Sequence, residues 1–283
     1  MRLIDSHAHL QADAFAADFE GVMKRGRDAG LERLLVPGWD APSSMAAVRM
    51  AVEHFGIDAA VGIHPHDAAS ASEADWQAVV DLAAEEKVVA IGETGLDFDR
   101  MHSPREAQLA NLRRHLRLAI ESGKPAILHC RSAAGERDAQ DTLLAELHAA
   151  GFGGVAARAA FGDRPPAVLH SYSGPVDYGS AALELGLAVS FSGLVFRRGE
   201  EASAEIARLV PAERLLIETD SPYLAPPGVP RGSMPGFSGR RNSPEWVRVT
   251  GEWLAKQRPD TPDTIGEGLV AAYDAMFRRH SAG

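Results

Sequence analysis

Eight short apolar runs recur along the chain, at residues 3–6, 34–37, 59–63, 88–92, 126–128, 167–169, 188–191 and 215–218. They are hydrophobic on both sides and do not alternate, which suits strands of a parallel sheet covered by helices. Parallel strands need long crossovers, and several intervening segments have the periodicity of amphipathic helices. The clearest helix starts at Ser103-Pro104-Arg105-Glu106, a capping Ser, a first-turn Pro and a Glu placed for a capping box. Leu109, Leu112, Leu116, Ala119 and Ile120 form its apolar face, and Gly123 and Pro125 end it. Ser243-Pro244-Glu245 opens another, with Trp246 and Trp253 as core residues. The expectation is an α/β chain folded as a single-domain (β/α)8 barrel of the TIM type over residues 1–283, a length normal for one such unit of about 250 residues. A doubly wound open sheet is the alternative. Residues 151–166 and 226–239, rich in Gly with Ala or Pro, read as long loops.

Composition narrows what such a barrel can do. The single cysteine, Cys130, excludes an internal disulfide and any centre needing several thiolates, and points to a reducing, cytoplasmic setting. No apolar run reaches the roughly 18 residues of a membrane span, so no membrane insertion is expected; no obligate protein partner is expected either. A net charge of −10 argues against a protein that coats nucleic acid, but not against an enzyme acting on phosphates. Fields are screened beyond roughly 8 Å, so a cleft holding cations attracts an anion whatever the distant surface carries.

Ionisable residues gather at one position of the pattern. His7 and His9 end the first run, His64 and His66 the third, Glu93 the fourth, His129 the fifth, His170 the sixth and Asp220 the eighth. In a barrel these strand ends surround one mouth, where active sites are built. His7 and His9 share one side of an extended chain, so both imidazoles can reach one cation. His129 and His170 add nitrogen donors, and Glu93 and Asp220 add hard oxygens, a set suited to Zn²⁺, Mn²⁺ or another divalent ion. Six donors exceed one tetrahedral site and fit two ions about 3.5–4 Å apart that share a carboxylate. Asp5 and Glu218, on the strand faces of His7 and Asp220, either orient a ligand imidazole or support the strand ends. His54, His102, His115, His148 and His280 read as surface or packing residues.

At this point the sequence resembles the TatD-like metal-dependent deoxyribonucleases of the amidohydrolase superfamily. The likeness rests on six ordered motifs between residue 3 and about residue 250: Ile4-Asp5-Ser6-His7-Ala8-His9-Leu10, Gly62-Ile63-His64-Pro65-His66, Ala90-Ile91-Gly92-Glu93-Thr94-Gly95-Leu96-Asp97, His129-Cys130-Arg131, His170-Ser171-Tyr172-Ser173-Gly174 and Glu218-Thr219-Asp220-Ser221-Pro222-Tyr223-Leu224. The resemblance implies two divalent ions, Zn²⁺, Mn²⁺ or Mg²⁺, with His7, His9 and Asp220 on one, His129 and His170 on the other, and Glu93 bridging. It also implies hydrolytic removal of nucleotides from DNA 3′ ends, single-stranded or frayed, with Asp220 as general base and Glu93 beside it in the catalytic pair. His64 and His66 would contact the substrate phosphate, or merely cap the turn that Pro65 makes.

The chain departs from the family after the last run. The family's short basic stretch corresponds to Ser238-Gly239-Arg240-Arg241-Asn242-Ser243-Pro244, which follows an added loop containing Arg231, Met234 and Phe237, and Tyr172 stands where a Phe is usual. Arg131, Arg240 and Arg241 are the expected phosphate partners. A competing reading is a hydrolase of an ester, amide or lactone on the same centre, since one fold serves many substrates. An arginine-lined cleft favours phosphate and an apolar pocket favours the alternative.

Overall fold

A computed structural model describes residues 1–234 and 237–277. The eight runs form one sheet of parallel strands: β1 Leu3–Asp5, β2 Leu31–Pro37, β3 Ile57–Val61, β4 Val88–Asp97, β5 Ala126–Arg131, β6 Ala167–Leu169, β7 Ala188–Phe191 and β8 Leu215–Ile217. Strand order around the sheet follows the sequence, and a helix lies in every crossover. Ser6 N donates to Ile217 O at 3.1 Å, bringing β8 back to β1. Beyond the strands Asp220 N donates to His7 O (2.9 Å) and His9 N to Ser221 O (2.8 Å). That closure makes a barrel and sets the open sheet aside. The strands are buried because helices cover their outer faces while side chains from alternate positions fill the interior, and Ile4, Leu35, Val36, Ile91, Ile127 and Leu216 are all fully buried. None of the helices among the described residues is long and apolar enough to cross a membrane.

Four local readings change. Strand β4 continues past residue 92 to Asp97, because the barrel's pairing with β5 carries a polar segment along as strand. Residues 151–166 are not all loop: a short helix, Val155–Phe161, seats Phe161 and the preceding Phe152 in buried positions. Residues 226–239 contain two short strands paired antiparallel, β9 Gly232–Met234 with β10 Phe237–Gly239. Ser103 caps no helix, since Pro104 takes the cap position of Arg105–Ser122. Its hydroxyl instead donates to His66 O (2.7 Å) and accepts from Ala69 N (3.0 Å), tying the loop after β3 to the next unit. His280 lies outside the described residues.

That helix buries more than its predicted apolar stripe. Gln108, Asn111 and His115 are also buried, and all three face strand ends near the mouth. Gln108 accepts from Asp97 N and donates to Asp97 O, while Asn111 Nδ2 donates to Ile63 O and His115 Nε2 accepts from Ile63 N (3.0 Å). Buried backbone groups that the sheet leaves unmatched thus find side-chain partners. His115 is therefore a fixed internal strut, and burial pushes its pKa down to about 3, keeping the ring neutral.

Candidate metal centre

Closure of β1 against the segment after β8 brings His7, His9 and Asp220 together. A parallel bridge between Ala8 and Ser221 sits between them, so the residues on either side of Ala8 turn inward. His7 Nε2 lies 3.2 Å from His9 Nε2, 3.2 Å from Glu93 Oε2 and 3.7 Å from Asp220 Oδ1. His9 Nε2 lies 3.7 Å from Glu93 Oε2 and 3.4 Å from Asp220 Oδ1. An ion with tetrahedral ligands at about 2.0–2.2 Å holds its donors roughly 3.3–3.6 Å apart. Five of the six edges of this donor set are thus close to those of a tetrahedral ion, so the residues present fit one.

The other oxygen of Glu93 faces a second set. Oε1 is 2.9 Å from His170 Nε2, 3.1 Å from His129 Nδ1 and 3.4 Å from His64 Nε2, and His129 Nδ1 is 3.3 Å from His170 Nε2. Burial disfavours the Glu93 carboxylate, but the imidazoles of His170, His64 and His7 outweigh it and hold the group well below the usual carboxylate range. Glu93 is therefore charged and has one lone-pair-bearing oxygen toward each donor set.

Hydrogen bonds decide which imidazoles can ligate. In the neutral rings His170 Nδ1 can donate to Glu218 Oε1 (3.1 Å) and His129 Nε2 to Asp97 Oδ2 (3.3 Å), which would free each ring's other nitrogen, facing Glu93, for a cation. Burial disfavours the charged rings, but the neighbouring carboxylates outweigh it and raise the pKa of both. Burial disfavours the Glu218 carboxylate as well, yet the adjoining His170 holds it at about 2. His64 is the reverse case. Its Nδ1 accepts from His66 N (3.1 Å), so the neutral ring carries its proton on Nε2 and presents a donor rather than a ligand. Burial lowers its pKa to about 4, which keeps it neutral near pH 7. Asp5 touches neither ligand imidazole: it accepts from Thr219 N, Thr219 Oγ1 and the backbone N of His7. Among the described residues the Nδ1 atoms of His7 and His9 have no partner.

The remaining predicted residues divide. His64, His66 and Arg131 line the cavity of about 440 Å³ above the donors. Of these, His66 directs Nε2 to Asp97 (2.8 Å), and Arg131 directs Nε to Asp99 (2.8 Å). Arg240 lines a neighbouring cavity, whereas Arg241 binds Asp18 through both terminal nitrogens (2.7 Å each) and Ala14 O (2.6 Å). Its guanidinium is already matched by a carboxylate, so it is a structural clamp and not an open phosphate site. Tyr172 is likewise internal, donating to Pro175 O (2.7 Å).

Three mouth residues escaped sequence reasoning. His102 stacks on His66 at 4.4 Å and lines the cavity, contrary to its reading as remote. Trp39 meets His9 edge to face at 5.4 Å, with no motif to mark it. Asp97 was legible in principle, because Glu93, Gly95 and Asp97 fall on one face once the strand is known to continue.

Comparison with known proteins agrees with this geometry. The family described as "TatD related DNase" matches residues 4–278. The uncharacterized metal-dependent hydrolase YabD of Bacillus subtilis is 33% identical over 276 residues, covering 98% of this chain and 99% of its own. The 3′-5′ ssDNA/RNA exonuclease TatD of Klebsiella pneumoniae is 38% identical over 247 residues, 87% of this chain and 86% of its own. The crystal structure of YJJV, a TatD homolog from Escherichia coli K12, superposes with a TM-score of 0.82 at 25% identity, covering 99% of each chain.

Proposed function

The chain belongs to the TatD-related DNase family, and from that premise we propose that it hydrolyses phosphodiesters of single-stranded DNA or RNA from the 3′ end. The observation that carries the reading is Glu93, whose two oxygens face separate donor sets within 2.9–3.7 Å. We assign His7, His9, Asp220 and Glu93 Oε2 to one ion and His129, His170 and Glu93 Oε1 to the other, with Zn²⁺, Mn²⁺ or Mg²⁺ as candidates. Divalent ions held there would lower the pKa of a water and offset the charge of the phosphate.

The chain's own residues then divide the work. Water attacks phosphorus, Asp220 accepts its proton, and the bond from phosphorus to the leaving sugar oxygen breaks, that oxygen taking up a proton from solvent to leave as the hydroxyl. His64 Nε2–H donates to a phosphate oxygen, which its tautomer suits and which would strengthen as charge builds there. Glu218 and Asp97 hold the His170 and His129 rings in register. Glu93 and His7 are 3% and 0% exposed at the base of the mouth, so a scissile phosphate must leave any duplex to reach them. Arg100 in the wall supports phosphate over a lactone or ester. We place the reaction in the cytoplasm, where Cys130 stays reduced.

The test is a panel of metal-stripped protein reloaded with Zn²⁺, Mn²⁺ or Mg²⁺, assayed on labelled single- and double-stranded DNA, RNA, esters and lactones. Activity should vanish on chelation, return with an ion and favour single strands. Undiminished turnover without metal, or a preference for the lactone, overturns the proposal.

A further inference from the structure

Beside the metal cavity lies a second one of about 530 Å³, lined by Phe196, Arg197, Pro222, Tyr223, Leu224 and Arg240 among others. Tyr223 and Leu224 belong to both walls, so the two cavities adjoin across a single partition. We propose that this second cavity is a nucleotide subsite, in which the base adjacent to the scissile phosphate stacks on Tyr223 while Arg197 and Arg240 hold the backbone phosphate. The inference rests on the polynucleotide reading and deepens it.

Tyr223 has what a stacking platform requires. It is a large aromatic left 54% exposed, which is unusual in a chain that buries Tyr172, Tyr178 and Tyr273 to 2% or less. Its backbone N donates to Asp220 O (2.8 Å), and its ring meets His9 at 6.1 Å, so it is registered against two residues of the metal centre. Every base has a π face, and stacking on such a ring is indifferent to sequence.

The arginines supply the electrostatic half. Arg197 and Arg240 are exposed, and neither guanidinium has an ion-pair partner among the described residues. In a chain of net charge −10, where Arg131 and Arg241 are matched by Asp99 and Asp18, two unmatched cations in one cavity mark a place for an anion. The backbone beside each is also held in position. Asn242 N donates to Pro222 O and its side chain to Thr219 O, pinning the segment beside Arg240. The turn Gly193–Phe196 that delivers Arg197 packs so tightly on Leu224 that a Cβ at Gly193 would lie 1.8 Å from its carbonyl oxygen. The cavity is therefore built from the ends of β7 and β8, on the same rim as the metal centre.

The experiment compares the metal-loaded enzyme on single-stranded oligothymidylate and on methyl p-nitrophenyl phosphate, a diester with no second base. Tyr223→Ala should lower the ratio of kcat/KM on the oligonucleotide to that on the small diester by about 5- to 150-fold, chiefly through KM, and Tyr223→Trp should restore it. Arg197→Ala and Arg240→Ala should each flatten the salt dependence of log kcat/KM on the oligonucleotide by about 0.7. Equal losses on both substrates, failure of Trp to rescue, or an unchanged salt slope in the double Arg variant overturns the subsite. Wild-type enzyme that cleaves the small diester but no oligonucleotide overturns the nuclease reading itself, a distinct failure.

Discussion

At the scale of single residues, the partner on the far nitrogen decides what each imidazole can do. His129 and His170 are backed by carboxylates, which suits the far nitrogen of each to a cation, whereas His64 is backed by a backbone N–H and presents a proton. No spacing rule separates these cases, because each partner lies far away in sequence or depends on the local turn. Asp220→Asn should lower kcat by about 10²–10⁴-fold with little change in oligonucleotide Kd, as Asn keeps a coordinating oxygen but cannot accept the proton. Single-turnover cleavage near the wild-type rate would pass the base role to another group. Arg241→Ala should act on stability rather than binding, since it removes a bidentate clamp and leaves Asp18 without it. Asp18 is held below its usual range by the hydrogen bond from Arg241, so the clamp contributes above the unfolded Asp pKa and is lost as pH falls. Thermal melts at pH 7 and pH 3 should show the variant's deficit shrinking in acid.

At the scale of elements, strand β4 and the helix Arg105–Ser122 carry the most information per residue. Gly95 stands between Glu93 and Asp97 with φ of 146°, and a Cβ there would lie 1.9 Å from His129 O. Only glycine lets β4 approach β5 this closely while both present polar groups to one point. Gly95→Ala should therefore destabilise by about 1–3 kcal/mol or more and weaken metal affinity together, read by urea titration and metal titration. An unchanged metal affinity would show that the two strands accommodate the methyl without moving the donors. The buried strut His115 makes a pH prediction. The unfolded chain takes up its proton near pH 6.5 and the folded one only near pH 3, so this stabilisation is complete above 6.5 and erodes as pH falls toward 3. The loss is about 1.4 kcal/mol per pH unit in that window. His115→Gln, which keeps a donor and an acceptor, should flatten the acid limb of the stability profile, and an identical limb would refute the assignment.

At the scale of the whole molecule, the apolar interior of the barrel is large enough to hold the fold without help from a metal. Removing the metals, or introducing His129→Ala, should leave the far-UV circular dichroism and cooperative melting in place, because a core of this size does not need metal as a small finger does. A molten spectrum for the stripped protein would contradict this. The sequence by itself determined the eight strands, their parallel arrangement and the six ionisable side chains that the barrel gathers at its mouth, because apolar runs of strand length and charged residues at their ends are local, periodic signals. It missed the continuation of β4, the strut at His115, the commitment of Arg241 to Asp18 and the cavity that Tyr223, Arg197 and Arg240 line together. Those are decided by the tertiary packing of the barrel, which brings together residues from about 20 to more than 200 positions apart. Local periodicity records which way a side chain points. Only the closed barrel fixes what it points at.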